Sequence, residues 1–207
     1  MKSRIALLDY GMGNLHSVSK ALEHVGADVD WIQEPCCLEP YHGMILPGVG
    51  HFGDGIRQLR RRKLDGLIME WFASDKPFLG ICLGLQMLFD CSDEEPGVPG
   101  LGILPGRVRK FKADPNRRVP QMGWNQVSAR KDCPLFAGIS PDSYFYFVHS
   151  YYADPDDSSV TGATTEYGVS YCSFGWKGSV YASQFHPEKS QKNGLRMLTN
   201  FVGLLQE

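Results

Sequence analysis

Lys76-Pro77-Phe78-Leu79-Gly80-Ile81-Cys82-Leu83-Gly84-Leu85-Gln86 is the stretch whose reading decides the fold. Lys76 to Ile81 reads as a short strand, and a helical spacing begins over Leu83 to Phe89. Between them, Cys82 stands two residues from a glycine on each side. A strand-to-helix turn this tight needs such glycines, because a Cβ there collides with the neighbouring strand or helix. The same turn lifts the thiol to the start of the helix, where the positive end of the backbone dipole favours thiolate over thiol. An ordinary cysteine, with a pKa of about 8.5, is only a few per cent ionised at neutral pH. Cys82 is therefore a candidate nucleophile rather than one more buried thiol.

Outward from the elbow, the pattern alternates. Arg4-Ile5-Ala6-Leu7-Leu8-Asp9 reads as a central parallel strand. A glycine-bearing turn follows at residues 10 to 14, then a helix with Leu15, Val18, Leu22 and Val25 inward, then a strand at Val29-Asp30-Trp31-Ile32. Gly43-Met44-Ile45-Leu46 is a third strand, and Ile56 to Phe72 reads as one helix. The second half is different: short extended runs at residues 144–148, 160–165, 169–176 and 180–185 are parted by turn signals, and a helix from Gly194 to Leu205 closes the chain. The expectation is one α/β domain over residues 1–207, with a doubly wound, mostly parallel central sheet flanked by helices and carrying antiparallel strand extensions.

Composition narrows the function. The 207 residues are 43% hydrophobic and 21% charged, and 21 Lys plus Arg against 23 Asp plus Glu leave a net charge of −2. No electrostatic excess recruits nucleic acid or an anionic membrane, and no apolar run approaches the roughly 20 residues that span a bilayer. Met1-Lys2-Ser3-Arg4 leads directly into a strand pattern, so the expected compartment is the cytoplasm. The six cysteines, at 36, 37, 82, 91, 133 and 172, form no CxxC pair and have no histidines at zinc-ligand spacing, so neither a metal nor a disulfide scaffold is expected. Gly11-Met12-Gly13 lacks the third glycine and distal acid of a dinucleotide fingerprint. The basic run Arg57, Arg60, Arg61, Arg62, Lys63 reads as a solvated helix face. No cofactor is expected.

A thiolate nucleophile needs a base. Of six histidines only His186, in Phe185-His186-Pro187-Glu188, has a carboxylate at useful spacing. Pro187 disfavours helical geometry at His186, so residues 186 and 188 of an extended segment project to one side, and Glu188 can orient the imidazole. His16, His24 and His42 read as surface or capping residues; His51 and His149 are nearer candidates without an adjacent carboxylate. Acyl transfer also requires donors for a tetrahedral oxyanion. Pro47-Gly48-Val49-Gly50 at a strand end supplies them through Val49 and Gly50, with the N–H of Leu83 as a further donor.

PGVG (47 to 50), GICLGLQ (80 to 86) and FHPEK (185 to 189) together resemble the class I, triad-type, glutamine amidotransferases. DYGMGNLHS (9 to 17), PQMGWN (120 to 125) and YFVHSYY (146 to 152) resemble the branch of that family whose glutaminase subunits serve a cyclase of histidine biosynthesis. The similarity spans essentially the whole chain, with Gln121 standing where relatives often have histidine. It implies that Cys82 attacks the amide of L-glutamine, that His186 shuttles the proton, and that Glu188 holds His186. It carries over Gln86, Gly50 and the backbone around Ser150 as glutamine contacts. It also implies a heterodimer with a (β/α)8-barrel cyclase that receives the ammonia, and an isolated subunit nearly silent until partner and ligand reorient the peptide at Val49-Gly50. Tyr10, Asn14, Met122, Trp124, Asn125 and Lys189 are the expected partner contacts, with the Met-Gly-Trp run read as a loop bearing an aromatic anchor. The alternative is the paralogous glutaminase of a surface-polysaccharide amidotransferase. An interaction module without catalysis and a general cysteine hydrolase are the more distant readings.

Overall fold

The computed structural model describes residues 2–115, 117–130 and 132–206; Met1, which opens the amino-terminal reading above, lies outside them. In chain order the elements are β1 (Arg4–Leu8), α1 (Leu15–His24), β2 (Asp28–Ile32), β3 (Gly43–Gly48), α2 (Phe52–Arg61), α3 (Leu64–Ala73), β4 (Phe78–Cys82) and α4 (Leu83–Met87). Then follow β5 (Cys91–Ser92), β6 (Gly106–Lys110), β7 (Gln121–Ala129), β8 (Ser143–His149), β9 (Tyr151–Pro155), β10 (Thr161–Glu166), β11 (Ser170–Lys177), β12 (Val180–Ser183) and α5 (Gln191–Leu204).

The strands form one mixed sheet in the order β2-β1-β3-β4-β12-β11-β10-β7-β8. Its first five members run parallel and the other four of that order add antiparallel, while β9 branches from β11 to β6, which pairs with β5 in parallel. The continuous apolar runs are explained by burial on both faces. Along β1, Ile5 and Leu7 join the core under α1 and α5, whereas Ala6 and Leu8 join the core under α2 and α3. The doubly wound α/β architecture with antiparallel extensions is therefore present. Because β12 lies parallel to β4, with Ser183 opposite Ile81, both chains leave the sheet at the same carboxyl edge. That register brings residues 184–188 to the elbow.

The structure corrects four local expectations. The helix expected over residues 56–72 is two helices, because Lys63 adopts a left-handed φ of 59° between α2 and α3. The Met-Gly-Trp run is a strand, β7, paired in register with β8. Its alternation was interrupted by Gly123, which takes φ 119° and reads in sequence as a turn. The closing helix begins at Gln191, before Gly194. Gly194 is interior to α5 and lets it press on the turn that carries His186: a Cβ there would overlap the Pro187 carbonyl. The helix expected from Leu83 to Phe89 ends at Met87.

The basic run lies largely on an exposed face, as expected, and three of its arginines make surface contacts within the chain. Arg57 pairs with Glu95 at 2.8 Å and Asp54 at 2.7 Å, Arg60 donates to the Pro99 carbonyl, and Arg62 to that of Asp9. Among the described residues no helix is long and apolar enough to cross a membrane.

Candidate active site

Cys82 ends β4 and caps α4 with φ 56° and ψ −106°, a strained conformation that a non-glycine residue adopts only where its surroundings enforce it. The flanking glycines make room for it. A Cβ at Gly84 would overlap the Leu46 carbonyl of β3, and one at Gly80 would come within 3.0 Å of the Gly84 backbone. Strand and helix can meet at this angle only without those carbons. Since α4 is barely one turn, the local N–H groups of its first residues act on the sulfur more than a long helix dipole does.

His186 is buried beside it. Its Nδ1 lies 2.8 Å from Glu188 Oε1, which leaves Nε2, without another conventional partner among the described residues, facing Cys82. The geometry differs in one detail from the extended segment expected. His186 itself is extended, but Pro187–Lys189 forms a 3-10 turn with proline at its first position, and that turn folds Glu188 back onto the ring. The turn is fixed from two sides: His186 N–H donates to the Tyr146 carbonyl, and Ser190 Oγ bridges the His186 carbonyl and the Tyr146 N–H. Burial acts to lower the imidazole pKa, yet the charge and hydrogen bond of Cys82, with those of Glu188, outweigh it and raise the ring to about 10. His186 is thereby held as the proton carrier of the site.

In front of the sulfur opens a cavity of about 260 Å³ lined by Val49, Gly50, Cys82, Leu83, Gln86, Glu94, Pro120, Val148, His149, Ser150 and Tyr151. Every residue expected to meet the oxyanion or glutamine is thus on one wall or another. Leu83, first in α4, has an N–H with no intrahelical acceptor. Gly50 takes φ 105°, and a Cβ on it would press on Met12 Cε at 2.9 Å. The Val49-Gly50 segment is therefore packed against the Tyr10-to-Asn14 turn. Gln86 Nε2 donates to the Tyr151 carbonyl at 3.0 Å and to Gln184 Oε1 at 3.1 Å. Both its N–H bonds are committed, so toward a ligand it offers only an acceptor.

Two residues near the sulfur were not singled out from the sequence. Glu94 sits 42 residues from the helix it caps, accepting from the Phe52 N–H at 2.7 Å. Gln184 approaches Cys82 Sγ with Nε2 at 3.7 Å; its place two residues before His186, on the same side of an extended segment, was the available clue. His149 borders the cavity but is disqualified as a base: Nδ1 is held by the Tyr151 carbonyl and Nε2 by the Tyr171 hydroxyl, and burial depresses it to about 4.

Of the expected partner contacts, Met122 and Trp124 are 66% and 46% exposed. They share the outer face of the β7–β8 hairpin with Tyr144 and Tyr146, and Lys189 stands over the Tyr146 ring. Asn125 is partly turned inward to the Glu166 carbonyl. Asn14 is exposed and caps α1. Tyr10 is the exception: its side chain is fully buried, with the hydroxyl donating to the Pro47 carbonyl. It braces the Pro47–Gly50 segment from beneath and presents no side-chain surface to a partner.

An elbow cysteine, a buried histidine–carboxylate pair and a small cavity on a mixed α/β sheet define the class. The chain belongs to the class-I glutamine amidotransferase family, whose description matches residues 6–204. Within it, the chain is 49% identical over 201 residues to the imidazole glycerol phosphate synthase subunit HisH of Synechococcus sp. (strain JA-3-3Ab), covering 96% of this chain and 93% of that protein. It is 46% identical to the subunit of that name from Acinetobacter baylyi, covering 97% and 98%. Among solved structures, PurLQS from Thermotoga maritima superposes with a TM-score of 0.79 at 19% identity, over 98% of this chain and 99% of that one. That last likeness concerns the fold.

Proposed function

We propose that this chain is the glutaminase subunit of an imidazole glycerol phosphate synthase, working as one amidotransferase domain in the cytoplasm. The observation that carries the chemistry is the buried line from Cys82, which borders the cavity, through His186 to Glu188. Cys82 sulfur adds to the side-chain carbonyl of L-glutamine, and the oxyanion is met by N–H groups at Val49, Gly50 and Leu83. His186 gives its proton to the departing nitrogen, ammonia leaves, and a glutamyl thioester remains. Water then adds, His186 taking its proton. Collapse releases glutamate and restores the thiol. Gln86, reduced to an acceptor, selects the α-ammonium group rather than the α-carboxylate.

The relatives are named as subunits of a synthase, which supports a second chain as ammonia acceptor. We assign that partner to a (β/α)8-barrel cyclase forming a heterodimer, docked on the face that carries Met122 and Trp124 and extending to Asn14, Asn125 and Lys189. There ammonia reacts to give imidazole glycerol phosphate and the aminoimidazole carboxamide ribonucleotide. A surface-polysaccharide acceptor has no observation in its favour. The test is a glutaminase assay of the purified chain, alone and with a cyclase and its ribonucleotide ligand. Turnover should rise on adding both; an equal rate in the two mixtures would reject the partnership.

A further inference from the structure

Gln184 takes no part in the proposed glutaminase steps, although its carboxamide is fully buried beside the reactive sulfur. We propose that Gln184 is a positioning residue for the nucleophile: its N–H donates to Cys82 Sγ and holds the sulfur at the cavity mouth while His186 exchanges protons with it. The proposal rests on Cys82 being the nucleophile, and it adds a second group that steadies the sulfur.

The direction of this hydrogen bond follows from its neighbours. Gln86 Nε2 is 3.1 Å from Gln184 Oε1, and Gln86 Nε2 also reaches the Tyr151 carbonyl, which only accepts. Gln184 Oε1 is thereby fixed as the acceptor end, so Nε2 must be the end facing sulfur, at 3.7 Å, a normal reach for the large sulfur atom. An N–H aimed at sulfur is worth more to the anionic thiolate and the anionic tetrahedral adduct's leaving sulfur than to a neutral thiol.

The carboxamides are in turn anchored through the far side of the Tyr151 carbonyl. His149 Nδ1 lies 2.8 Å from that oxygen and must donate to it; in a neutral ring Nε2 then accepts, from the Tyr171 hydroxyl at 3.2 Å. One hydroxyl proton cannot also serve Gln121, 3.0 Å away. With the Gln121 carboxamide turned end for end, its N–H₂ donates to the Tyr171 oxygen, and the otherwise unpartnered Gln121 nitrogen is satisfied. An unbroken buried chain thus runs from β7, through Tyr171, His149, the Tyr151 carbonyl and Gln86, to Gln184 and the sulfur. Gln184 is a part held at both ends.

The test is the pH dependence of Cys82 alkylation by iodoacetamide on the full chain, read on the Cys82 peptide by mass spectrometry so that the other five cysteines do not interfere. Gln184→Met removes the donor; Gln184→Glu keeps the acceptor for Gln86 and turns an anion toward sulfur. Both should move the alkylation midpoint to higher pH, Glu by more than Met, with at least a threefold slower reaction at pH 7. In the unaltered protein, the Gln184 side-chain amide protons, followed by NMR, should titrate with the alkylation midpoint. Midpoints unchanged in the variants, or amide protons blind to that titration, would overturn the inference while leaving the nucleophile intact. Failure of Cys82 to alkylate ahead of the other cysteines would instead sink the reading on which it rests.

Discussion

Glu188 Oε1 stands 2.8 Å from His186 Nδ1, with the two side chains only 1% and 2% exposed. At that burial the carboxylate fixes the tautomer and supports the imidazolium with little screening by water. Glu188→Gln should leave the chain folded and lower glutaminase kcat by about a hundredfold to ten-thousandfold. Steady-state kinetics with the cyclase present checks this. A loss under tenfold would remove Glu188 from the proton relay.

The two buried histidines should tilt stability in opposite directions with pH. His186, raised to about 10 in the fold, contributes fully below its ordinary value of 6.5; above that the unfolded chain gives up its proton first, so stability declines until about pH 10. His149, depressed to about 4, contributes fully above 6.5 and loses that contribution as pH falls toward 4. Urea midpoints across pH 4 to 10 should show both limbs, with His186→Gln flattening the alkaline one and His149→Gln the acid one. Unaltered limbs in these variants would contradict the assignment.

Glycine substitutions should separate geometry from propensity. Gly84→Ala drives a carbon into the Leu46 carbonyl and should cost about 1–3 kcal/mol or more and abolish turnover. Gly66, exposed within α3 with open space around it, should gain about 0.5–1 kcal/mol on replacement by alanine. Denaturant midpoints of the two variants decide it: equal shifts would mean the elbow is not closely packed.

Much of this was legible in the chain. The glycine-framed cysteine and the His-Pro-Glu run announce themselves because strain and proton transfer demand particular residues at short spacing. The parallel half of the sheet was equally plain, since burial on both faces leaves unbroken apolar runs. What the sequence hid depends on distant register. Gln184 and Cys82 are 102 positions apart and meet only because β12 pairs with β4. Tyr10 reads as a surface aromatic until the Pro47 carbonyl is placed above its hydroxyl. The break at Lys63 left no mark because a left-handed lysine looks, in sequence, like any helical lysine.

Trp124 is the predicted anchor of the partner interface. Its ring packs edge-on to Tyr146 at 6.0 Å yet remains nearly half exposed, so Trp124→Ala should barely change the melting temperature and should weaken heterodimer formation by about 2 kcal/mol or more. Titration calorimetry with the cyclase measures it. An unchanged dissociation constant would move the interface elsewhere.

The central claim is covalent. Acid-quenched samples taken during glutamine turnover, with the cyclase and its ligand present, should carry a glutamyl group in thioester linkage on Cys82, and Cys82→Ala should show neither adduct nor turnover while still binding the cyclase. Turnover retained by Cys82→Ala, or a glutamyl adduct on any other residue, would contradict the account.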